Sequence, residues 1–579
     1  MPADVPVPFA LGGPMRWRLD RTALPSLLSW LTIGFAVALP LRGLYKATGS
    51  SMEEGFMLVF PRLVQDGEVP NADFLHLYGP ASLDALAVWY RVFGDSLESE
   101  RTFGLLQHLG IVFAVYALAR VAGHLAATGA ALVATMLILT PIGLSALAWH
   151  GGVALGLWAV VFAVRGRQGE DRVRDWWWAG GLAGLALGYR PDLALALILA
   201  LGFAIWRRGT ELRWLLAGLF VGLLPLWWHL VDAGLGTAFE GMVLDPVVRL
   251  RPGRELPRPP SWGIIDGALQ AVAEGVPPAW PLPAMAANHQ LFFWFFAVMV
   301  IAVVVPAAAW WMRRRDAPSP RAALTALLIA GLFGLGILPQ ALQRPDSTHL
   351  AWVAVVSWSL LVPLLALWGA DHAPAAAGRS LFATAVVGVL MLVICPFYTY
   401  RHHLLHTRVS LGDLPPPFLV ERNGKRFWFG DRAVADALNA VIPELAERFE
   451  PGDRLIVGPA DLSRTIYSDV SVYYLLPELE PGTKYIEMDP GLADRAGSGL
   501  AEEISESDFL VLTNIWTGWH EPNASDEHLS DEANQAVADN FCLTERYEDN
   551  LVLLFERCAE GGGVSPADIT GTYPRPAED

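Results

Sequence analysis

The sequence predicts a mainly α, polytopic membrane bundle of about eleven spans, followed by a soluble α/β domain. Three observations carry this. Of 579 residues, 53% are hydrophobic and 23 are Trp, with a mean hydropathy of +0.37, which is too apolar for a soluble enzyme and too long for one domain. Apolar runs approaching the roughly 20 residues that a bilayer requires recur from residue 23 to residue 398. Beyond Arg401, short apolar strands alternate with amphipathic stretches and acidic residues accumulate. The formal net charge of -17 makes nucleic acid an unlikely partner on physical grounds.

The N-terminal tail, 1–22, carries Arg16, Arg18 and Arg21 ahead of the first apolar run, Ala23 to Leu41. The small residues Ala36-Val37-Ala38 resemble a signal-peptide cleavage pattern. The run is longer than a signal core and many spans follow it, so an uncleaved first helix with a cytoplasmic N-terminus is expected. Further spans are expected near 103–120, 125–140, 151–164, 176–189, 191–206, 214–231, 290–312, 322–340, 350–369 and 380–398. On this count the arginine-rich segments 165–174, 207–213 and 313–321 all fall on the cytoplasmic side, as the positive-inside rule requires. Loops 42–102 and 232–288, the junctions at Arg190 and Arg344, and everything after Tyr398 then lie outside. The expected division is a membrane module over 23–400 and an extracytoplasmic domain over 401–579. The scarcity of Lys beside Arg, Ala and Gly points to a bacterial source, hence to a multi-pass inner-membrane protein.

In the outer domain, strands are expected at 454–458, 484–488 and 508–513, and a hairpin from Cys542 to Cys558 turns at Asp549-Asn550. Helices are expected at 431–448 and 531–540, and a disordered Gly/Pro-rich tail after Gly561. Cys542 and Cys558 could form a cross-strand disulfide outside the cytoplasm or remain two buried thiols, and Cys395 reads as a small hydrophobe. Tyr473, Tyr474, Trp516 and Trp519 could stack on a carbohydrate or belong to the core.

The first outer loop concentrates the chemistry. Within Ser51 to Pro80 lie Glu53, Glu54, Asp66, Glu68, Asp73, His76 and Tyr78, with two short helices that would lie along the membrane surface, near Glu54–Leu63 and Ala81–Phe93. Arg190-Pro191-Asp192 and Arg344-Pro345-Asp346 recur at two outer helix junctions, and His349 follows the second. Placing an Arg in or beside hydrocarbon costs about 2.5–3.5 kcal/mol on insertion scales, so these guanidinium groups are candidates for phosphate binding. The alternative is an Arg–Asp pair that staples a helix hairpin. Loop 232–288, with Asp245-Pro246, Arg249, Arg251, Arg254, Arg258 and Trp262, lacks clear structure of its own and is a candidate functional loop.

Paired carboxylates after a first span, then a turn, Asp73 and Tyr78-Gly79-Pro80, resemble the first outer loop of the GT-C glycosyltransferases, among them protein mannosyltransferases and aminoarabinose transferases. The resemblance covers roughly Leu24 to His349 and rests on short motifs. It implies a GT-C architecture and transfer of a sugar from a polyprenyl-phosphate donor to an envelope glycan, lipid or protein acceptor. It assigns the base to Glu53 or Glu54, although many members carry Asp at the first position. Asp73 and Tyr78 also look like family positions, although Asp73 could instead cap the turn; His76, Arg190, Asp192, Arg344, Asp346 and His349 are candidate donor-phosphate or substrate contacts by their outer-side placement, with His76 alternatively a packed loop histidine. Some GT-C families use a divalent metal and others do not, and no cofactor is indicated by the sequence. The rival readings are a transporter or lipid flippase, which would carry ionisable residues at mid-membrane depth and an internal repeat, and a non-catalytic envelope scaffold of the same fold.

Overall fold

The computed structural model describes residues 23–139, 143–169, 172–259, 285–315, 320–368, 376–517, 521–559 and 561–571. Every expected apolar run is helical. Seven helices are long and apolar enough to cross a membrane: Pro25–Leu44, Leu97–Ala122, Ala148–Gln168, His289–Arg314, Arg321–Gln343, Ser347–Trp368 and Ala376–Ile394. Gly209–Gly222 and Leu224–Asp232 pass the same test together but are bent by 44°, with Pro225 at the break. The remaining runs fall short for visible reasons. His124–Ile138 and Pro191–Ile205 are too short, and Arg172–Tyr189 opens on Arg172, Arg174 and Asp175. By length and composition, seven of the described helices, or eight with the bent pair, could each cross a membrane on their own, in a multi-pass membrane protein.

The C-terminal region is built on two sheets. Strands β1 (Phe418–Arg422) and β2 (Lys425–Phe429) form a hairpin whose turn puts Asn423 and Gly424 at positive φ. Strands β3 (Arg454–Pro459), β4 (Glu480–Pro481), β5 (Phe509–Thr513), β6 (Phe541–Tyr547) and β7 (Val552–Arg557) form one sheet in the order β4-β3-β5-β7-β6. Strand β3 runs parallel to β4 and β5, while β7 is antiparallel to both neighbours. Its central strands read as continuous apolar runs because both faces are buried, with helices such as Arg432–Ala446 and Glu532–Asn540 packed against them. A disulfide joins Cys542 to Cys558 across the β6–β7 hairpin.

Several expectations are corrected. Residues 484–488 are not a strand: Met488 donates its amide to the Tyr485 carbonyl in a turn, and Met488 has a φ of 53°. The alternating pattern Lys-Tyr-Ile-Glu-Met mimics an extended strand, but Asp489-Pro490 ends it. The β1–β2 hairpin was not expected. Loop 232–259 is helical through Leu235–Phe239, Glu240–Arg249 and Arg251–Arg254, while Trp262 and the rest of 260–284 lie outside the described residues. The tail is ordered over 561–571, where Asn514 donates to the Ile569 carbonyl at 3.0 Å. Trp519 and the N-terminal tail also lie outside the described residues.

The largest difference concerns the first loop. The helix Glu53–Asp66 does not present one face to a membrane surface, because Glu54 through Pro61 are all buried. It shares a single apolar core with the C-terminal region: Phe56 and Phe60 join Val420, Phe427, Val457 and Tyr473. A Cβ on Gly55 would meet the Ser471 amide nitrogen at 2.7 Å, so only glycine admits this approach. Polar ties reinforce it, with Ser471 donating its amide to the Ser51 carbonyl at 3.0 Å and Leu75 donating to Lys484 at 3.0 Å. By contrast Ala81–Phe93 buries Leu83 and Leu86 and leaves Val88, Val92 and Phe93 exposed, as an interfacial helix would.

Candidate functional site

The two adjacent glutamates part company at the first turn of their helix. Glu54 is 1% exposed and forms a two-pronged pair with Arg101, Nε to Oε1 and Nη2 to Oε2, both at 2.7 Å. Arg101 spends its remaining nitrogen on the Leu44 and Tyr45 carbonyls at 3.3 and 3.0 Å. Both carboxylate oxygens of Glu54 are thus engaged by Arg101, and the buried Glu100 lies beside the pair. Glu53 is half-buried, accepts from the Ser50 hydroxyl, and lies near enough to Tyr467 and Glu487 for its charge to act on both.

Near Glu53 the chain gathers polar groups from segments far apart in sequence. Arg254 pairs with Asp489 and lies 5.8 Å from the Tyr467 ring centre. Arg344 donates to Glu521 at 2.5 and 3.2 Å, to Asp346 at 3.2 Å and to the Arg254 carbonyl at 2.7 Å. The Tyr467 hydroxyl donates to Glu521 at 3.1 Å. Arg190 grips Asp192 with Nε and Nη2 at 2.9 and 2.7 Å, and its guanidinium stacks 4.5 Å from the Tyr78 ring centre and 5.2 Å from that of Trp149. Tyr78 in turn feels the charges of Glu487, Arg254 and Asp489, which links the two halves. Tyr78 is set in place by Gly79, whose amide donates to the Tyr189 carbonyl at 3.0 Å and whose missing Cβ would otherwise collide with the Gly188 carbonyl.

The electrostatics follow from burial. Desolvation, and the neighbouring Asp489, push Glu487 well above the usual carboxylate range, and burial also raises Asp489 against the opposing pull of Arg254. Burial would raise Asp346 too, but His349 and Arg344 reverse that and hold it at about 2. Burial pushes Tyr78 up to about 12 and His76 down to about 3. Three buried polar atoms in this cluster have no hydrogen-bond partner among the described residues: Glu487 Oε1, Asp489 Oδ2 and Arg254 Nε. Leaving such atoms dry costs about 1–3 kcal/mol each, so a ligand that satisfies them gains by that amount.

Other candidates are placed elsewhere. Asp73 is exposed and accepts from the Val69 amide at 2.7 Å, capping the turn. His76 is fully buried with its ring edge-on to Phe60 and Tyr78. Asp192 accepts from Gln340, and His349 Nδ1 meets Asp346 at 2.7 Å beside Trp352. Tyr473 and Tyr474 are core residues whose hydroxyls bond the Val457 and Leu97 amides. Tyr467, Glu487, Asp489 and Glu521 were missed by sequence reasoning, and Arg254 stood out only as one of several arginines in loop 232–288. The one signal was Glu487-Met488-Asp489, two acids spaced by two in an apolar stretch. Among the described residues no group of three or more His, Cys, Asp or Glu is arranged to hold a metal. Ionisable groups inside the bundle were also missed: His108 and His150, each 2% exposed, have ring centres 4.2 Å apart.

No protein-family model matches the chain, and no curated protein does. Among solved structures it is similar to ArnT from Cupriavidus metallidurans bound to undecaprenyl phosphate, with a TM-score of 0.50 and 14% identity over 92% of this chain and 98% of that one. The apo state of the same protein gives a TM-score of 0.50 and 13% identity over 93% and 99%. The Archaeoglobus fulgidus oligosaccharyltransferase aligns at a TM-score of 0.38 and 13% identity, over 89% of this chain and 71% of that one, and carries no weight here. The ArnT likeness extends through the C-terminal region, beyond the reach of the sequence motifs. Taken with the helical bundle and the carboxylate loop packed beneath a small sheet, it gives the chain a GT-C-like fold.

Proposed function

We propose that this protein is a membrane glycosyltransferase that moves a sugar from a polyprenyl-phosphate donor to an envelope glycan, lipid or protein acceptor, with Glu53 as general base. One observation carries the reading: Glu53 lies near enough to Glu487 and Tyr467 for its charge to act on both, at the edge of a buried polar cluster with Arg254 and Asp489 in which three atoms await partners. In the transfer, the acceptor oxygen attacks the anomeric carbon as its proton passes to Glu53, and the bond from that carbon to the donor phosphate breaks. The unpartnered Nε of Arg254, with the guanidinium of Arg190, offers N–H donors to the departing phosphate. Arg344, with every nitrogen engaged, acts with Asp346, Asp192 and His349 as a positioning strut. Asp73, His76 and Tyr78 shape the loop. The undecaprenyl phosphate in the similar ArnT structure supports a polyprenyl-phosphate partner. The disulfide supports placing the C-terminal region outside the cytoplasm of a bacterial inner membrane, which puts the arginine-rich loops inside.

A transporter or flippase is a second reading favoured by the buried His108–His150 pair. The purified protein, reconstituted with synthetic polyprenyl-phosphate sugars radiolabelled in the sugar and with envelope extract as acceptor, separates the two. Label in a product that survives removal of the donor lipid is expected. Label that only crosses the bilayer, still on its donor, overturns the proposal.

A further inference from the structure

At the opposite end of the bundle from the candidate site lies a cavity of about 1080 Å³ that the proposed reaction does not use. The helix directions place it there. Ala148–Gln168 begins beside Trp149, which stacks with Arg190, and ends at this cavity about 30 Å away. Arg321–Gln343 ends beside Arg344 and begins near it, where Gln168 donates to the Ala322 carbonyl at 2.9 Å.

The walls are basic. Arg167, Arg172, Arg207, Arg208, Arg313 and Arg314 line the cavity, and among the described residues Glu211 is the one carboxylate lining it. Glu211 is already shared by Arg208 at 3.4 Å and Arg172 at 3.8 Å. Arg167 and Arg208 are braced by backbone: Arg167 donates to the Ala204 carbonyl at 2.5 Å, and Arg208 to the Arg167 carbonyl at 3.1 Å. Arg207 is held at a φ of 64°, a backbone region that favours glycine. The rim is aromatic, with Trp206 67% exposed and Trp310 42% exposed, and Arg314 stacks 3.8 Å from the Trp310 ring centre. Guanidinium groups where Ala148–Gln168 and His289–Arg314 end, behind exposed tryptophans, stand at the depth of lipid headgroups.

We infer that this cavity binds the phosphate headgroup of an anionic phospholipid on the membrane face opposite the candidate site. Guanidinium forks suit phosphodiester oxygens, and the excess of cations over the single shared carboxylate leaves charge that a headgroup neutralises. The open lipid side of Trp206 and Trp310 leaves room for acyl chains. A free phosphate would use the same forks but would gain nothing from the tryptophans.

The test reconstitutes the full chain in phosphatidylcholine nanodiscs containing one-tenth phosphatidylglycerol and counts the lipid retained after detergent extraction by native mass spectrometry. At about fivefold per guanidinium removed, R207Q/R313Q should lower phosphatidylglycerol affinity about 25-fold. R213Q/R315Q removes the same charge outside the cavity and should change it less than twofold. Equal losses in the two variants would mean only diffuse attraction and overturn the site. So would displacement of the retained lipid by millimolar inorganic phosphate, which would make the cavity a phosphate site. Wild type retaining phosphatidylglycerol no better than phosphatidylcholine also overturns it, without recourse to any variant. W206A/W310A keeps every charge, and is expected to weaken retention of phosphatidylglycerol while leaving inorganic phosphate binding unchanged.

Discussion

Glu54 with Arg101, and Glu487 with Asp489 and Arg254, are clusters of the same chemical kind in neighbouring parts of the molecule, and they are finished differently. In the first, both oxygens of Glu54 are bonded to Arg101 and the third guanidinium nitrogen finds two carbonyls, while the neighbouring Glu100 accepts from the Ala146 amide and keeps one oxygen over. In the second, Asp489 pairs with Arg254, Glu487 lies within reach of its charge, and an atom of each of the three residues is left over. A saturated buried ion pair is a strut, because any ligand must first break it. An unsaturated one is a socket, because a ligand repairs it. Adjacency in sequence therefore says little about surroundings: the charge of Glu53 reaches Glu487, whereas Glu54 is spent on Arg101.

This contrast can be broken experimentally. The largest effect is expected at Glu53. E53Q should lower sugar transfer by about 10²–10⁴-fold with an unchanged melting temperature, the range typical of losing a general base. Full turnover in E53Q would remove the assignment. E54Q should instead destabilise the protein by about 3–5 kcal/mol, since it leaves Arg101 buried with a weakened partner; thermal unfolding in nanodiscs reads this directly. Removing the disulfide with C542A/C558A touches neither cluster. It should cost about 3 kcal/mol for a closed loop of this size and leave transfer at low temperature intact.

The smallest effect is expected at E487Q, although it is the same chemical change as E54Q. Glu487 has its folded-state pKa raised above the ordinary 4.5, so its contribution to stability is complete below that value and fades as pH climbs through the raised one. Wild type should accordingly melt at progressively lower temperature as pH rises above 5, and E487Q along a shallower slope. At pH 5 the two should agree within about 1 kcal/mol. A loss as large as that of E54Q would mean that the second cluster is also a strut.

Most of the bundle was legible in the sequence, because hydrocarbon demands long apolar runs and the chain contains them. What the runs could not reveal is which are long enough, since Arg172 and Asp175 shorten one helix and Pro225 bends another. The strands at 454–459 and 509–513 were legible as apolar runs, whereas Lys484–Met488 imitates a strand by alternation and is turned by tertiary contacts instead. Glu53 and Tyr78 stood in the first outer loop, Arg190 and Arg344 at helix junctions and Arg254 in the long second loop, so all five could be singled out in the sequence. Glu487, Asp489 and Glu521 could not, because they reach the cluster through folding of segments that share no motif or spacing. The burial of the Glu53–Asp66 helix was hidden for the same reason: its partners lie in the last third of the chain.

That partnership has a bearing on biosynthesis. Ser51 bonds Ser471 across 420 residues, so the loop bearing Glu53 emerges long before the surface that completes it. At typical translation rates the interval is roughly 20 to 80 seconds. During it, Phe56, Phe60 and their neighbours stand exposed at the membrane boundary without their eventual cover. A nascent chain of this protein should be inert until its final third has been made, and it should depend on the lipid surface or a chaperone to shield that helix in the meantime.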